Sequence, residues 1–386
     1  MPLPGFQPPD TLSYWEREVF FRHLDVVIVG SGLVGLSAAI CLKERQPELQ
    51  IAVIERGMLP FGASTRNAGF ACFGSMTELL DDLHHTSEDE VWALVERRWA
   101  GLQRLRARVG DVRLEYETHG GYELFRPEDE ATFRDCHERL PAFNAAIAKI
   151  TGTTDSFQIA DAQIQRFGFQ QVQHLVVNQL EGQLHTGKMI ATLLQIAAAK
   201  GVMLLNGIDI QHWESDQHGL RLHSTRGWVL HTRKMLVATN GFARQLLPAL
   251  DMVPARNQVL ITHPIPGLRI QGTFHYDRGY FYFRNVGNRL LLGGGRHLAM
   301  QTEQTDAFGT TPLIRGVLID LLGKVILPDQ VFEIDNWWSG ILAIGMEKKP
   351  IVEEVAPNVY VAVRLGGIGV AIGSLVGEEA ADLLLH

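Results

Sequence analysis

The sequence predicts an α/β fold joined to an α+β region, and three observations support this prediction. A strand, a glycine-rich turn and a helix follow one another at 25–45. Residues 253–300 instead alternate between apolar and polar side chains, which is typical of strands. The chain closes with a strand, a glycine-rich loop and a helix at 359–386. A chain of 386 residues is also long enough for two domains.

Composition and charge exclude several classes of partner. The chain has 35 Lys and Arg against 43 Asp and Glu, and no basic run is interleaved with aromatic residues. We therefore expect a small-molecule partner and no nucleic acid. Cys41, Cys72 and Cys136 are spaced too widely for a metal cluster or a disulfide framework, so we expect no metal and a reducing compartment, the cytoplasm. No apolar run is long and unbroken enough to span a membrane.

Residues 11–23 form a separate amphipathic segment with a helix-like apolar stripe. The stripe consists of Leu12, Trp15, Val19 and Phe20. Such a stripe most often packs on its own domain; peripheral contact with a membrane or a partner is the alternative. The preceding residues lack the basic-then-apolar order of a signal peptide.

The strand–turn–helix unit near the start carries a dinucleotide-binding pattern. Gly30, Gly32 and Gly35 form G-x-G-x-x-G between the strand "DVVIVG" and the helix. These glycines permit a tight turn, close approach of backbone amides to a pyrophosphate, and close packing of helix on strand. Glu55 ends the next strand, where a carboxylate accepts hydrogen bonds from a ribose 2′-hydroxyl and disfavours the phosphate of NADP. The unit therefore predicts a Rossmann-type domain that binds NAD or FAD.

Later segments favour FAD over NAD. The strand in "KMLVATNG" (234–241) and the helix in 181–202 resemble those that return to the dinucleotide domain in many flavoproteins. Gly366, Gly367 and Gly369 stand at the start of the last helix, where free amides and the helix dipole favour an anion such as reduced flavin. An ordinary glycine turn is the alternative.

The intervening segments have simpler patterns. Amphipathic helices are predicted over 78–110 and 128–150, and a further helix over 186–200. Residues 220–237 read as two strands around Gly227.

Four segments, in order, resemble the D-amino-acid oxidase and glycine oxidase (DAO) family of FAD-dependent oxidoreductases. They are "DVVIVGSGLVG" with "VIERG", "GASTRNAGF", "GYFYFRNVGNRLLLGGGRH" and "GILAIGMEKKPIVEEVAPNVYVAVRLGGIGV". The resemblance implies a glutathione-reductase-like FAD-binding domain of Rossmann type, interleaved with a β-sheet substrate domain. We assign 20–80, 150–245 and 340–386 to the FAD-binding domain, 81–149 and 246–339 to the substrate domain, and 1–19 to an N-terminal extension.

The resemblance also implies how FAD is held. The loop "GASTRNAGF" (62–70) would pass beside the flavin ring and pyrophosphate, where close approach excludes bulky side chains. Arg66 would supply a fixed positive charge, and a surface position on a flexible loop is its alternative. The full set of expected FAD contacts is Gly30, Ser31, Gly32, Gly35, Glu55, Arg56, Ser64, Thr65, Arg66, Asn67, Ala68, Gly69, Ile210, Thr239, Asn240, Gly241, Gly366, Gly367, Ile368, Gly369 and Val370.

The implied reaction is oxidation of the C–N bond of a small amine or amino acid, with hydride transfer to flavin N5 and hydrolysis of the resulting imine. In the predicted strand "GYFYFR", Tyr280, Tyr282 and Arg284 share one face and Phe281 and Phe283 the other. Tyr280 falls where glycine oxidase-like proteins have an active-site tyrosine, and a packed tyrosine is the alternative. We interpret Arg284 as structural. Weaker candidates are His275, Tyr276, His297, Lys348 and Lys349.

The sequence departs from the family at three positions. Leu291 stands where sarcosine oxidase-like members have a lysine that promotes reaction with oxygen. The segment "GILAIGMEKK" has no cysteine, and Arg66 aligns near the histidine used for covalent attachment in other relatives, so we expect FAD to be non-covalent. Leu342 replaces the usual carboxylate-binding arginine. Either the substrate lacks an α-carboxylate or another cation binds it. We expect Arg296 to be that cation, and a surface arginine is the alternative for this residue. An NAD-dependent dehydrogenase and a non-catalytic flavin-binding redox sensor stay open as other functions.

Overall fold

The computed structural model describes residues 12–20 and 24–386. Its internal contacts divide the chain into two compact units, each built from separated segments. The first unit comprises Met1–Thr65, Gly187–Pro254 and Leu342–His386, and the second comprises Arg66–Thr186 and Ala255–Ile341.

The helices of the described residues are α1 (Tyr14–Phe20), α2 (Leu33–Arg45), α3 (Ala63–Arg66), α4 (Met76–His85), α5 (Glu88–Val109), α6 (Asp111–Leu114), α7 (Glu130–Thr151), α8 (Ala162–Phe167), α9 (Thr186–Ala199), α10 (Met300–Glu303), α11 (Pro312–Leu321) and α12 (Gly369–Leu385). Short 3₁₀ turns cover Pro127–Asp129, Asn240–Gln245 and Arg296–Ala299, and a π turn covers Leu322–Ile326.

The strands are β1 (Leu24–Val29), β2 (Ile51–Glu55), β3 (Phe70–Ala71), β4 (Gly121–Phe125), β5 (Phe157–Ile159), β6 (His174–Asn178), β7 (Gly182–Gln183), β8 (Met203–Asn206), β9 (Ile210–Asp216), β10 (Gly219–Ser224), β11 (Val229–Val237), β12 (Val253–Thr262), β13 (Thr273–Tyr276), β14 (Phe281–Val286), β15 (Arg289–Gly294), β16 (Ile334–Ile344), β17 (Ile351–Ala356) and β18 (Val359–Val363).

The first unit is built on a sheet in the order β17-β18-β11-β1-β2-β8, with β10 and β9 continuing from β11. The pairs β18/β11, β11/β1, β1/β2 and β2/β8 are parallel. Every residue of β2 and β18 is buried, as expected for parallel strands covered on both faces. This is why both strands read as continuous apolar runs in the sequence.

The second unit is built on a sheet in the order β16-β12-β15-β14-β13-β4-β6-β5, with β3 and β7 paired separately. One face of this sheet packs into an aromatic core. Phe274 of β13 and Phe283 of β14 stack there at 4.7 Å between ring centroids. The neighbouring residues on these strands point to the opposite face, because side chains alternate along a strand.

The unit boundaries differ from the expected domain boundaries. Residues 66–80 and 150–186 were expected in the first domain, but they belong to the second unit. The reason is strand pairing, since β5 pairs with β6 and β6 pairs with β4 in the second sheet. Short strands of this kind carry no local signal for the sheet that they join.

The helix predicted over 78–110 is in fact two helices, α4 and α5. Ser75 caps α4 in a capping box with Glu78. Thr86 and Ser87 between the helices are extended, which separates them into α4 and α5. The helices predicted over 128–150 and 186–200 correspond to α7 and α9.

The N-terminal helix α1 exposes its apolar side chains. Trp15 is 72% exposed, Val19 47% and Phe20 44%, and no residue of α1 is buried. The expectation that this stripe packs on its own domain is therefore wrong for Tyr14–Phe20. Residues 11 and 21–23 of the predicted segment lie outside the described residues, as do 1–10 of the predicted extension. Within 12–20 and 24–386, no helix is long and apolar enough to cross a membrane.

Helices α2 and α12 lie side by side in the first unit and run in the same direction. Gly373 faces Leu33, Gly377 faces Ser37, and Asp382 binds Arg45 near the helix C-termini. A Cβ atom on Gly377 would lie 2.6 Å from the Ser37 Cβ and 2.6 Å from the Val34 carbonyl oxygen. The absence of a side chain at this glycine therefore permits the close packing of the two helices.

We predict that Gly377→Ala destabilises the protein by about 1–3 kcal/mol through overpacking, reduced in part by the better helix propensity of alanine. Gly316→Ala is the matched control, because Gly316 is an exposed glycine of α11 with no atom within 4 Å of its Cβ position. That change should stabilise the protein by about 0.5–1 kcal/mol. Urea unfolding followed by circular dichroism measures both midpoints, and a Gly377→Ala midpoint at or above that of Gly316→Ala contradicts the packing argument.

Candidate functional site

The glycine turn between β1 and α2 has a backbone that a larger residue would not adopt. Gly30 has a φ of +110°, and a Cβ atom there would lie 2.9 Å from the Ala238 carbonyl oxygen. Gly32 precedes the first turn of α2 and supplies no side-chain cap. Gly35 packs directly over Gly30 and Ile28. The turn therefore leaves a helix N-terminus whose amides and dipole favour an anion.

Glu55 lies beside this turn at the end of β2. Its Oε2 accepts hydrogen bonds from the Ser31 hydroxyl at 2.9 Å and the Ser31 amide at 3.4 Å, and its Oε1 accepts one from the Gly57 amide at 3.0 Å. The side chain is 9% exposed overall. An ionised carboxylate has about four acceptor sites, so capacity remains for a ribose hydroxyl pair.

Ser64 and Thr65 bring the next loop to the same turn within the first unit. The Ser64 hydroxyl accepts a hydrogen bond from the Leu33 amide at 2.9 Å, in the first turn of α2. The Thr65 hydroxyl donates a hydrogen bond to the Pro60 carbonyl at 2.8 Å, which stabilises the loop. Arg56 is exposed, with its guanidinium 3.9 Å from the centre of the Phe242 ring.

The end of β11 carries a buried hydroxyl that is suited to a ligand. The Thr239 Oγ1 atom is buried and has no hydrogen-bond partner among the described residues. Asn240 has a φ of +45°, and its Oδ1 accepts a hydrogen bond from the Arg364 amide at 3.1 Å. Gly241 follows and is buried. Asn240 thus holds the loop before α12, while the Thr239 hydroxyl is left for another group.

The loop before α12 forms a second helix N-terminus. Gly366 and Gly367 are exposed, with φ of +61° and +90°. Ile368 precedes the helix and makes no side-chain cap, and Gly369 and Val370 begin its first turn. Because α12 runs parallel to α2, the two N-termini lie at the same end of the helices, and neither is capped by the side chain of its own N-cap residue. Two positive helix ends, a buried carboxylate and an orphaned hydroxyl fit a dinucleotide such as FAD.

Ile210 has a different environment from the other expected FAD contacts of the first unit. It begins β9 and is 7% exposed within the hydrophobic core of that unit. Its side chain is therefore committed to packing, and only its backbone is suited to a cofactor contact.

In the second unit, Arg66 is held firmly rather than placed on a flexible surface loop. Its guanidinium lies 4.3 Å from the Phe308 ring centre and donates to the Ser339 carbonyl at 2.8 Å. The Trp338 indole donates to the Arg66 carbonyl at 3.0 Å. Burial lowers the pKa of Arg66, although the side chain stays charged at neutral pH. Arg66 therefore provides a positioned positive charge.

The residues after Arg66 show why this loop needs a bare backbone. Gly69 has a φ of +75°, and a Cβ atom there would collide with the Leu184 carbonyl oxygen and lie 2.8 Å from Arg284 Nη2. The Asn67 Oδ1 accepts a hydrogen bond from the Gly69 amide at 2.7 Å. The crowding at Gly69 thus comes from the unit's own atoms, whereas the sequence had suggested the flavin as its cause.

Arg284 is structural, in agreement with its interpretation from the sequence. It is 8% exposed and donates to the Ala68 carbonyl and, at 3.1 Å, to the Leu184 carbonyl. Burial lowers the pKa of Arg284 to about 10. The side chain ties the 66–69 loop to β14.

Tyr282 lies on the face of the second sheet opposite its aromatic core. It packs with Ala68, Val259 and Leu291, and its ring meets the ring of Phe70 edge to face at 5.7 Å. Burial raises the pKa of Tyr282, and the neighbouring Asn257 side chain and Arg296 charge offset this only in part. The phenol is therefore protonated at neutral pH and is suited to donate a hydrogen bond.

The sequence had suggested that Tyr280 lies on the same strand as Tyr282, but it does not. The strand begins at Phe281, and Tyr280 ends a turn in which Asp277 and Arg278 have φ of +49° and +52°. Its amide donates to the Asp277 carbonyl at 2.9 Å. Such left-handed non-glycine residues are costly, and they cluster at functional sites.

Arg296 flanks Tyr280 from the start of the turn after β15. Its guanidinium carbon lies 5.2 Å from the Tyr280 ring centre, and its Nη1 is 3.6 Å from the Met300 sulfur. Across 12–20 and 24–386, no carboxylate lies within ion-pair distance of Arg296. The structure therefore places a half-buried cation near Tyr282 without a protein anion to neutralise it.

The weaker candidates have separate environments. His297 pairs with Asp277 at 3.1 Å, Tyr276 lies near Arg126, and Lys348 is exposed. The carbonyl of Lys349 accepts a hydrogen bond from Arg364. His275 contacts the ring of Phe70 at 5.1 Å.

Sequence reasoning missed Phe70 as a neighbour of both His275 and Tyr282. Phe70 ends the quoted loop "GASTRNAGF". Its two contacts depend on the pairing of β13 with β14, which the sequence does not specify.

Comparison with known proteins agrees with this geometry. The γ-glutamylputrescine oxidoreductase of Escherichia coli (strain K12) is 23% identical over 381 residues, which cover 93% of this chain and 83% of that protein. L-proline dehydrogenase from P. horikoshii has a similar fold, with a TM-score of 0.74 at 17% identity over 94% of this chain and 93% of that one. Glycine oxidase from Geobacillus kaustophilus gives a TM-score of 0.74 at 22% identity, covering 94% and 95%.

These solved structures confirm the predicted fold class, a Rossmann-like FAD domain with a second, substrate domain. The family described as FAD dependent oxidoreductase (DAO) matches residues 25–383, nearly the whole of the described chain. FAD, and not NAD, is therefore the cofactor of this chain. The chain belongs to the DAO family of FAD-dependent oxidoreductases.

Proposed function

We propose that this enzyme oxidises the C–N bond of a small amine or amino acid, with FAD bound by the first unit and substrate recognised by the Tyr282 face of the second. The observation that carries the substrate assignment is the position of Arg296, whose guanidinium lies 5.2 Å from the Tyr280 ring, has no carboxylate partner among the described residues, and acts electrostatically on the buried phenol of Tyr282. Relatives in the family named for glycine, proline and γ-glutamylputrescine support the same substrate class.

Bound FAD would supply the acceptor for a hydride from the carbon next to the substrate nitrogen, and the resulting imine would hydrolyse in water. The chain's own residues bind and orient the substrate. The Tyr282 phenol donates a hydrogen bond, since burial keeps it protonated. Arg296 attracts a carboxylate, and the apolar side chains of Val259 and Leu291 exclude water from the same face. No base is needed when the substrate amine binds in its neutral form.

We also infer a cytoplasmic location. Cys41, Cys72 and Cys136 are all buried and none of the three forms a disulfide, which fits a reducing compartment.

An anaerobic screen of amines and of D- and L-amino acids tests the proposed function. Loss of flavin absorbance with one substrate class, followed by detection of the carbonyl product, is the expected result. A protein that keeps its flavin oxidised with every amine and amino acid, but is reduced by dithionite, contradicts the proposed C–N oxidation.

We predict that FAD is held without a covalent bond. The segment 340–349 has no cysteine, and Cys41 is fully enclosed within α2. After acid precipitation, the yellow colour should therefore stay in the supernatant. Colour that remains with the polypeptide, and with its tryptic peptides, contradicts this prediction.

We predict slow reoxidation of the reduced enzyme by air. Leu291, where some relatives have a lysine, is 5% exposed in an apolar cluster with Ala68 and Val259, so it supplies no charge to promote reaction with oxygen. Stopped-flow measurement should show faster reoxidation by an artificial dye acceptor than by dissolved oxygen. Rapid and stoichiometric release of peroxide during turnover is the opposite outcome.

We predict that Arg296→Leu lowers kcat/KM for a carboxylate-bearing substrate by the equivalent of about 2–4 kcal/mol. This cost is typical for truncating one partner of a buried charge pair. FAD content should not change. The matched control is Arg278→Leu, because Arg278 also flanks Tyr280, at 5.7 Å, but is exposed and paired with Asp277. Equal kinetics in the two variants contradict the role of Arg296 and indicate a simple amine substrate.

A further inference from the structure

Three metal-binding side chains of different chemistry meet in the second unit. Cys72 follows β3, Glu181 precedes β7 and His275 lies on β13. The Cys72 sulfur, a Glu181 carboxylate oxygen and a His275 ring nitrogen all lie within 4.8 Å of one another. Cys72 and Glu181 are 5% and 1% exposed. The strands thus converge on one enclosed group of three donors.

The imidazole of His275 is the least explained member of this group. Both of its ring nitrogens are buried, and neither has a hydrogen-bond partner among the described residues. A buried polar group left unsatisfied costs about 1–3 kcal/mol. In its neutral form an imidazole carries the proton on one ring nitrogen and a free lone pair on the other. A cation beside that nitrogen would satisfy it.

The other two ligands are already oriented by their neighbours. The Glu181 Oε1 accepts hydrogen bonds from the Phe73 amide at 2.8 Å and the Gly74 amide at 3.1 Å. The Thr273 hydroxyl lies 3.4 Å from the Cys72 sulfur and is suited to donate to a thiolate. Supporting contacts of this kind fix ligand geometry in metal sites.

Charge around the group also favours a divalent cation. The buried Arg98 guanidinium interacts electrostatically with Glu78, Asp82 and Glu181, so three carboxylates share one positive charge. Glu78 also interacts electrostatically with His275. A bound divalent ion would balance the same charge directly.

We propose that Cys72, Glu181 and His275 form a Zn²⁺ site. Zinc bonds of about 2.0–2.3 Å in a tetrahedron place ligand atoms about 3.3–3.7 Å apart, so donors at the 4.8 Å limit would need to close by about 1.1–1.5 Å. Three protein ligands leave the fourth position for water or another small ligand. Thiolate and imidazole favour zinc over the hard cations Mg²⁺ and Ca²⁺, which prefer oxygen.

Binding breaks the Cys72 S–H bond, forms an S–Zn bond and releases the thiol proton to solvent without any change of oxidation state. Burial, followed by the charge of Glu181, raises the pKa of the Cys72 thiol, so the metal must displace this proton. The site does not rest on the proposed amine oxidation, because it requires no substrate and no turnover.

The test uses the FAD-loaded protein after treatment with a chelator. Titration with Zn²⁺ against a chromogenic indicator, with metal analysis after gel filtration, should give one tightly held zinc per chain. Cys72→Ser and His275→Gln should each weaken zinc binding by about 100-fold or more, since loss of an outer-shell partner alone costs about 10–100-fold. Substitution with Co²⁺ should give a sulfur-to-cobalt charge-transfer band in the difference spectrum.

Two controls separate this site from other zinc ligands of the chain. His212, Glu214 and His223 form an exposed trio on β9 and β10, so the double variant His212→Ala/His223→Ala should keep the tight site. Cys136→Ser, which removes another buried thiol, should keep the charge-transfer band. Loss of zinc only in the double histidine variant overturns the proposal, and so does a cobalt complex of the unmutated protein without the sulfur band.

Discussion

The parallel packing of α12 on α2 is the constraint on which the cofactor site depends. Gly373 and Gly377 bring the two helices close enough that their N-termini lie at one end of the pair. Neither N-cap residue supplies a side-chain cap. Ser64 accepts from the Leu33 amide of α2, and the other first-turn amides and the positive dipole ends are left for an anion. Helix α2 follows β1 near the start of the first unit, and α12 ends that unit. The anion site is therefore assembled only when both ends of the chain are folded together.

The second unit depends on the alternation of side chains along β13 and β14. Phe274 and Phe283 fill the aromatic core on one face, which commits His275 and Tyr282 to the other. A hydrophobic core on one side thus fixes where the polar groups stand on the opposite side. Arg284 then anchors the 66–69 loop over that polar face.

The sequence predicted the dinucleotide turn well because each of its requirements is local. Gly30 and Glu55 can be recognised from one strand, one helix and the next strand. The second unit could be predicted only in outline, since β5 and β6 are short and join their sheet through distant pairing. Gly69 shows the same limit: its pattern predicted a bare backbone, but the Leu184 carbonyl that requires it is remote in sequence. The grouping of Cys72 with His275 had no local signal at all, because it depends on the same remote pairing.

On the polar face of the second sheet, His275 and Tyr282 both contact the ring of Phe70. Phe70 contacts His275 at 5.1 Å and Tyr282 at 5.7 Å, both edge to face. A ligand that fixes the His275 ring would therefore restrict Phe70, and Phe70 in turn restricts the phenol of Tyr282. The proposed zinc ligand His275 and the proposed substrate-binding Tyr282 therefore both pack against the same ring. The two sites have separate ligands, but they share the packing of this ring.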